Sequence, residues 1–273
     1  MDTKSCATRI LLIGFGEAGQ AFAEGWRQAG LEIQVSAYDI RFDDPGGAPD
    51  LEAAALRLGV RKVSHEGRSF ADADHVFSLV TADQALLAAE AASRFLADRH
   101  VFWDLNSVAP STKKKASAAI GRSGGSYLDV GVLAPVHPSL HRARLAVAGP
   151  TAAKQSEPIA SLNLNAEIVS ENIGDAATLK LLRSIVIKGI EASVAECVLA
   201  CRIAGMEEKV LNSLAPSFPG IDWPARADYI MERLGRHGIR RASEMREAAV
   251  MLEDLGMEPL LSLGVAGRLQ NSA

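Results

Sequence analysis

The run Ile10-Leu11-Leu12-Ile13-Gly14-Phe15-Gly16-Glu17-Ala18-Gly19 constrains this chain more than any other stretch. It sets GxGxxG directly after an apolar run and directly before a helical pattern, Ala18–Ala29. In that context each glycine has a task. Gly14 permits a tight turn, Gly16 lets the backbone approach a pyrophosphate, and Gly19 allows close helix–strand packing. An anion then rests on the amides of the helix N-terminus. Gly14, Phe15, Gly16, Glu17, Ala18 and Gly19 are therefore candidate dinucleotide-binding residues, joined by Thr81 just beyond the strand read at His75–Val80. The second strand, Ile33–Tyr38, leads into Asp39, about 20 residues past Gly19, where an acid hydrogen-bonds a ribose 2′-hydroxyl. That carboxylate favours NAD over NADP by repelling a 2′-phosphate. Arg41 pulls the other way, because an arginine just past the strand pairs with a phosphate.

The first half continues in the same alternation. Val101–Leu105 and Tyr127–Val132 read as further strands, and Leu51–Leu58, Asp83–Ala97 and Ser111–Arg122 as helices, with Pro110 at a helix start. Strand followed by helix, repeated, means a parallel sheet covered on both faces. Leu145–Ala148 and Ala166–Val169 extend it. A methyltransferase-type nucleotide fold begins similarly, but the full six-residue spacing argues against it. After Gly174 the strand signal stops. Asp175–Ala204 contains no proline and ends at Gly205, a natural helix stop. The rest reads as shorter helices broken at 216–220, at Gly235–Gly238 and at Gly256. The expected fold is α/β: an N-terminal Rossmann doubly wound sheet (1–172), then an all-helical domain (173–273) built on a long interdomain helix.

Composition removes several classes. A net charge of −4 lacks the basic excess of a nucleic-acid binder. No stretch approaches the roughly 20 apolar residues that span a bilayer, so no membrane partner and a cytoplasmic location are expected. Cys197 and Cys201, one helical turn apart, read as small core residues because no histidine or third cysteine lies near; with Cys6 they form no disulfide scaffold, and no metal is expected. Lys113–Lys115 reads as a solvated helix face.

The 175–204 helix is apolar over most of its circumference, so burial on nearly all sides is expected and its polar residues need a reason. Lys180, Ser184, Lys188 and Glu191 fall on one stripe. Facing a cleft, they supply an ammonium, a hydroxyl and a carboxylate. A lysine acts as general base only when neutral, and both burial and nearby positive charge, here from Lys188 and Arg183, favour the neutral form. The competing reading is a structural lysine paired with Glu191 or with a partner helix.

Together these motifs resemble the β-hydroxyacid dehydrogenase / 6-phosphogluconate dehydrogenase superfamily, over about two-thirds of the chain. Asp104-Leu105-Asn106-Ser107-Val108-Ala109-Pro110 is similar to its DxSTxxP signature, and the Asn106-Ser107 pair to the Asn-Ser of the 6-phosphogluconate enzymes. The resemblance implies that Asn106 and Ser107 contact substrate and cofactor and that Lys180, after Gly174, is the acid/base residue. Ser184 stands where the family usually has asparagine. Val132 and Leu133 fall on the substrate loop, but Leu133-Ala134-Pro135 replaces the family's Ser-Gly-Gly, and Pro135 has no amide hydrogen to hold a substrate carboxylate. The C-terminal part looks like a distinct bacterial branch. There His237 and Arg240, with Arg241, are candidates to bind an anionic substrate, with Lys188 among the substrate contacts; His137, His141, Arg142 and Arg144 form a second basic loop. The resemblance implies hydride transfer between NAD or NADP and a small hydroxy acid, phosphorylated or not, with decarboxylation following if a carboxylate lies β to the new carbonyl. It also implies a homodimer sharing its long helices. Two rivals stay open: reduction of a C=N bond, as in imine reductases that share the fold but usually lack the lysine, and a non-catalytic dinucleotide-sensing protein.

Overall fold

Apolar runs flanked by glycine and acid become strands here because both faces of the sheet are covered. The computed structural model describes residues 7–44, 46–64 and 68–271; Cys6 lies outside them. The chain divides into two units, Met1–Lys180 and Leu181–Ala273.

The first unit runs β1 (Thr8–Ile13), α1 (Glu17–Gln28), β2 (Ile33–Tyr38), α2 (Pro49–Leu58), β3 (Arg61–Lys62), α3 (Arg68–Asp72), β4 (His75–Ser78), α4 (Ala85–Ser93), β5 (Val101–Asp104), α5 (Pro110–Gly121), β6 (Ser126–Val132), β7 (Leu145–Ala148), α6 (Ser156–Ser161), β8 (Ala166–Ser170) and the start of α7 (Asp175–Ala204). The sheet order is β3-β2-β1-β4-β5-β6-β7-β8. Pairing is parallel from β3 through β6, antiparallel between β6 and β7, and parallel again between β7 and β8. The expected doubly wound sheet is what forms. The strand order reverses between β1 and β4, so the loops after the carboxyl ends of β1, β2, β4 and β5 share one edge, where such sheets bind ligands. Trp26, Phe22, Phe77 and Trp103 pack one face of the sheet; Phe70, Phe102 and Tyr127 pack the other.

In the second unit, α7 continues to Ala204, followed by α8 (Glu207–Leu214), α9 (Trp223–Asp254) and α10 (Leu260–Gln270). Its core joins Leu181, Ala195 and Val198 of α7 to Ile230, Leu234, Ala242, Met245 and Met251 of α9 and Val265 and Leu269 of α10. The break expected at Gly235–Gly238 does not occur: α9 is one helix of 32 residues. Each mid-helix glycine costs only about 1 kcal/mol, less than burial of Leu234, Ala242 and Met245 returns at roughly 1.5–3 kcal/mol for a large side chain. The near-complete burial expected for α7 is also absent from the single chain, where Leu182, Val186 and Ile190 are exposed. Among the described residues no helix is long and apolar enough to cross a membrane.

Candidate functional site

The glycine loop is held from below. Gly14 has φ +92°, a conformation glycine adopts without strain, and a Cβ there would stand 2.6 Å from the Leu79 carbonyl oxygen. A Cβ on Gly19 would run into the Gly14 carbonyl oxygen, which is the close packing of helix on turn that the spacing implies. Gly16 differs: nothing lies within 4 Å of its would-be Cβ. The loop is therefore packed on its inner side and open on its outer side, as a backbone cradle for a phosphate requires. Glu17 is exposed and Ala18 half-buried at the helix start. Phe15 is engaged within the protein: its ring is buried against Phe42 and its carbonyl accepts from Gln20 Nε2 at 3.0 Å.

Asp39 is buried, and both its oxygens are engaged within the protein. Oδ2 accepts the Phe15 amide at 2.8 Å, while Oδ1 accepts the Arg41 amide at 3.0 Å and Arg41 Nε at 3.3 Å. The side chain of Arg41 is half-exposed. Thr81 is exposed, ahead of a short 3-10 turn after β4.

The loop after β5 lies at the same edge of the sheet, tied to the end of β4. Leu105 N donates to Ser78 O, and Asn106 Nδ2 donates to Ser78 Oγ at 2.9 Å. Asn106 Oδ1 and Ser107 Oγ are buried with no hydrogen-bond partner in the protein. Buried polar atoms without a protein partner are uncommon in native structures, and a ligand or water at this edge would complete both.

A buried ion-pair cluster stands beneath the same edge. Asp104 and Asp129 are register partners on β5 and β6 and are fully buried. Lys113, expected on a solvated face, is fully buried between them, 3.0 Å from Asp104 Oδ1 and 3.4 Å from Asp129 Oδ1, and donates to the Asp104 carbonyl at 2.6 Å. Helical periodicity carries the signal for this burial: Lys113, Ala116 and Ile120 share the inward face of α5. Tyr127 donates to Asp104 Oδ2 at 2.6 Å; burial first, then the Asp104 charge, hold its phenol well above the usual range. Asp129 Oδ2 accepts the amides of Gly174 and Ala177, both at 3.0 Å, and so caps the start of α7. Gly131 lets that helix approach the strand: a Cβ there would lie 2.7 Å from Ala176 O and 3.3 Å from Lys180 Cβ. Half-buried Lys180 thus rises from the helix turn that packs on β6.

Val132 ends β6, half-buried, and Leu133 is buried with its amide donated to Arg144 O at 2.8 Å. With that amide spent and Pro135 lacking one, this loop cannot present the row of donors that a Ser-Gly-Gly loop does.

The helical unit uses the remaining stripe residues internally. Lys188 Nζ pairs with Glu244 at 2.7 Å and donates to Ser184 Oγ at 3.2 Å; Glu191 pairs with Arg241, both buried. Lys188, expected to lend positive charge to Lys180, is thus matched by the Glu244 carboxylate of α9. His237 is half-buried and Arg240 exposed on α9. The Cys197 and Cys201 sulfurs are 3.9 Å apart, and no group of three metal-binding side chains occurs among the described residues.

Comparison with known proteins places this geometry. Residues 202–272 match a family described as a domain of unknown function, DUF1932. A conserved protein from Sinorhizobium meliloti 1021 of known structure is 39% identical, with 97% of this chain and 88% of that one aligned at a TM-score of 0.76. A conserved protein of unknown function, whose structure was reported as similar to 3-hydroxyacid dehydrogenases, is 29% identical over 97% of both chains, TM-score 0.71. The Mycobacterium tuberculosis 3-hydroxyisobutyrate dehydrogenase shares the fold at 16% identity, covering 97% and 94% of the chains with a TM-score of 0.74. A Streptomyces aurantiacus imine reductase shares it more distantly, at 18% identity, 97% and 94% coverage and a TM-score of 0.62.

Proposed function

The chain belongs to one family with the Sinorhizobium meliloti protein, within the β-hydroxyacid dehydrogenase-like superfamily, and from that premise we propose that it is a nicotinamide-dependent oxidoreductase acting on a small hydroxy acid. The observation that carries the reading is the pair of buried oxygens without a protein partner, Asn106 Oδ1 and Ser107 Oγ, at the same carboxyl edge of the sheet as a glycine loop whose outer side is open at Gly16. These residues fit a dinucleotide. The amides at the start of α1 would hold its pyrophosphate and the β2 end its adenosine ribose, and the bound nicotinamide supplies the exchange of hydride.

The chain's own residues do the rest. Asn106 and Ser107 orient the reacting carbon, and Lys180 takes the proton from the substrate hydroxyl in oxidation or returns it in reduction. Ser184, one turn further along α7, is a second hydroxyl for orientation; its oxygen accepts from Lys188, which leaves its own proton to donate. Recognition of a substrate carboxylate does not rest on the Leu133 amide. His237 and Arg240 are the cationic candidates for an anionic group.

Asp39 favours NAD less than its charge alone suggests, because three hydrogen bonds already engage its oxygens and Arg41 matches its charge. The outer guanidinium edge of Arg41 suits a 2′-phosphate, so we expect NADPH to bind at least as well as NADH. The exposed Leu182, Val186 and Ile190 on α7 and Leu260, Leu261 and Leu263 on α10 support a homodimer, because apolar patches of this kind mark interfaces.

The test is binding of NADPH and NADH followed by nicotinamide absorbance against 2- and 3-hydroxy acids and cyclic imines. Hydroxy-acid turnover is expected. Turnover of imines alone would replace the CH–OH reading with C=N reduction, and binding with no turnover of either class would favour a dinucleotide sensor.

A further inference from the structure

The mechanism above leaves Lys113 without a role, although a fully buried ammonium is among the most demanding groups a core can hold. Its surroundings are specific. Asp104, on one side, accepts the Asn106 amide at 2.9 Å and so fixes the loop that carries Asn106 and Ser107. Asp129, on the other, accepts the Gly174 and Ala177 amides and so fixes the turn of α7 from which Lys180 rises. Asp129 Oδ1 makes no hydrogen bond, and its charge is met by Lys113 at 3.4 Å.

Two carboxylates side by side on adjacent strands repel each other, and one ammonium between them turns that repulsion into a shared anchor. We propose that Lys113 is a positioning residue that couples the Asn106-Ser107 loop to the first turns of α7, so that occupation of the dinucleotide loop sets the placement of Lys180. The residue touches neither cofactor nor substrate; it acts through Asp104 and Asp129. A purely structural core lysine would stabilise β5, β6 and α5 but carry no signal from one segment to the other. The proposal rests on the dinucleotide reading above.

Amide hydrogen exchange tests it, with NADPH as the probe. Removing Lys113 alone strands two carboxylates, so the primary variant is the charge-balanced Lys113→Met/Asp104→Asn. The milder Asp129→Asn, which keeps an acceptor for the helix amides, carries the same test if the first does not fold. Without ligand, both should exchange residues 104–108 and 173–178 roughly tenfold faster than wild type, the scale of losing one charge-assisted hydrogen bond, while β1 and α9 stay unchanged. With NADPH, wild type should gain protection in residues 14–19, in 104–108 and in 173–178. The variants should keep the gain in residues 14–19 and lose it in 173–178. Protection of 173–178 that persists in the variants overturns the proposal, as does a wild type protected at 14–19 but not at 173–178. Absence of protection at 14–19 in wild type is the failure of the dinucleotide reading, on which the proposal rests, and overturns both; protection at 14–19 without protection at 173–178 overturns the proposal alone.

Discussion

Gly16→Ala should separate cofactor binding from folding. Gly16 sits at φ −74° and ψ −157°, an extended conformation open to alanine, and its added Cβ meets nothing within 4 Å. Stability should therefore change by no more than about 0.5 kcal/mol. If the loop's outer side receives a pyrophosphate, the methyl stands between amides and phosphate. Loss of one charge-assisted hydrogen bond, about 1.5–3 kcal/mol, weakens binding roughly 10- to 100-fold. Gly14→Ala is the control with the opposite profile. Its φ of +92° and the 2.6 Å approach to Leu79 O add backbone strain of about 1–3 kcal/mol to comparable overpacking. A total near 3 kcal/mol lowers the melting temperature by roughly 6–12 °C. Tryptophan fluorescence titrated with NADPH and thermal scans read the two effects separately. A Gly16→Ala protein that binds NADPH like wild type, or melts as low as Gly14→Ala, refutes the assignment of the loop.

Three further outcomes are expected. His75, which accepts from Trp103 Nε1 at 3.2 Å, and His141 are both held below the ordinary histidine value near 6.5, in each case chiefly by burial. The unfolded chain then binds protons that the folded one refuses, so stability is full above pH about 6.5 and falls as pH drops toward the lowered folded values; urea midpoints across that window should show the slope, and His75→Gln/His141→Gln should flatten it. Arg41→Ala should weaken NADPH more than NADH in equilibrium titrations, and equal losses would remove Arg41 from the 2′-phosphate site. Val186→Glu, at an exposed apolar position of α7, should shift a dimer toward monomer in sedimentation velocity, whereas a wild type already monomeric at micromolar concentration would end the dimer proposal.

The Rossmann half was legible because its signals are local. Alternating apolar runs and the glycine spacing specify strand, turn and helix within a few residues of one another, and α7 was bounded by Gly174 and Gly205. What escaped depends on partners distant in sequence. Nothing local marks Asp129 as the cap of α7 forty-five residues on, at Gly174. The engagement of Asp39 by the Phe15 amide likewise needs the loop and β2 brought together before it can be seen. Two glycines in α9 suggest a break on propensity alone, and the packing that overrides it comes from residues distant in sequence. Lys113 differs: its charge and lysine neighbours suggest a solvated face, while the helical period of α5 turns it inward. The stripe on α7 was found, but the pairing of Lys188 with Glu244 and of Glu191 with Arg241 required the fold of the helical unit.

The most direct test of the central claim compares wild type with Lys180→Ala in nicotinamide-linked turnover, with NADPH binding verified for both. Cofactor affinity should match in the two proteins, and turnover should disappear in the variant. Turnover that survives Lys180→Ala would contradict the claim, because the proton would then move through another group.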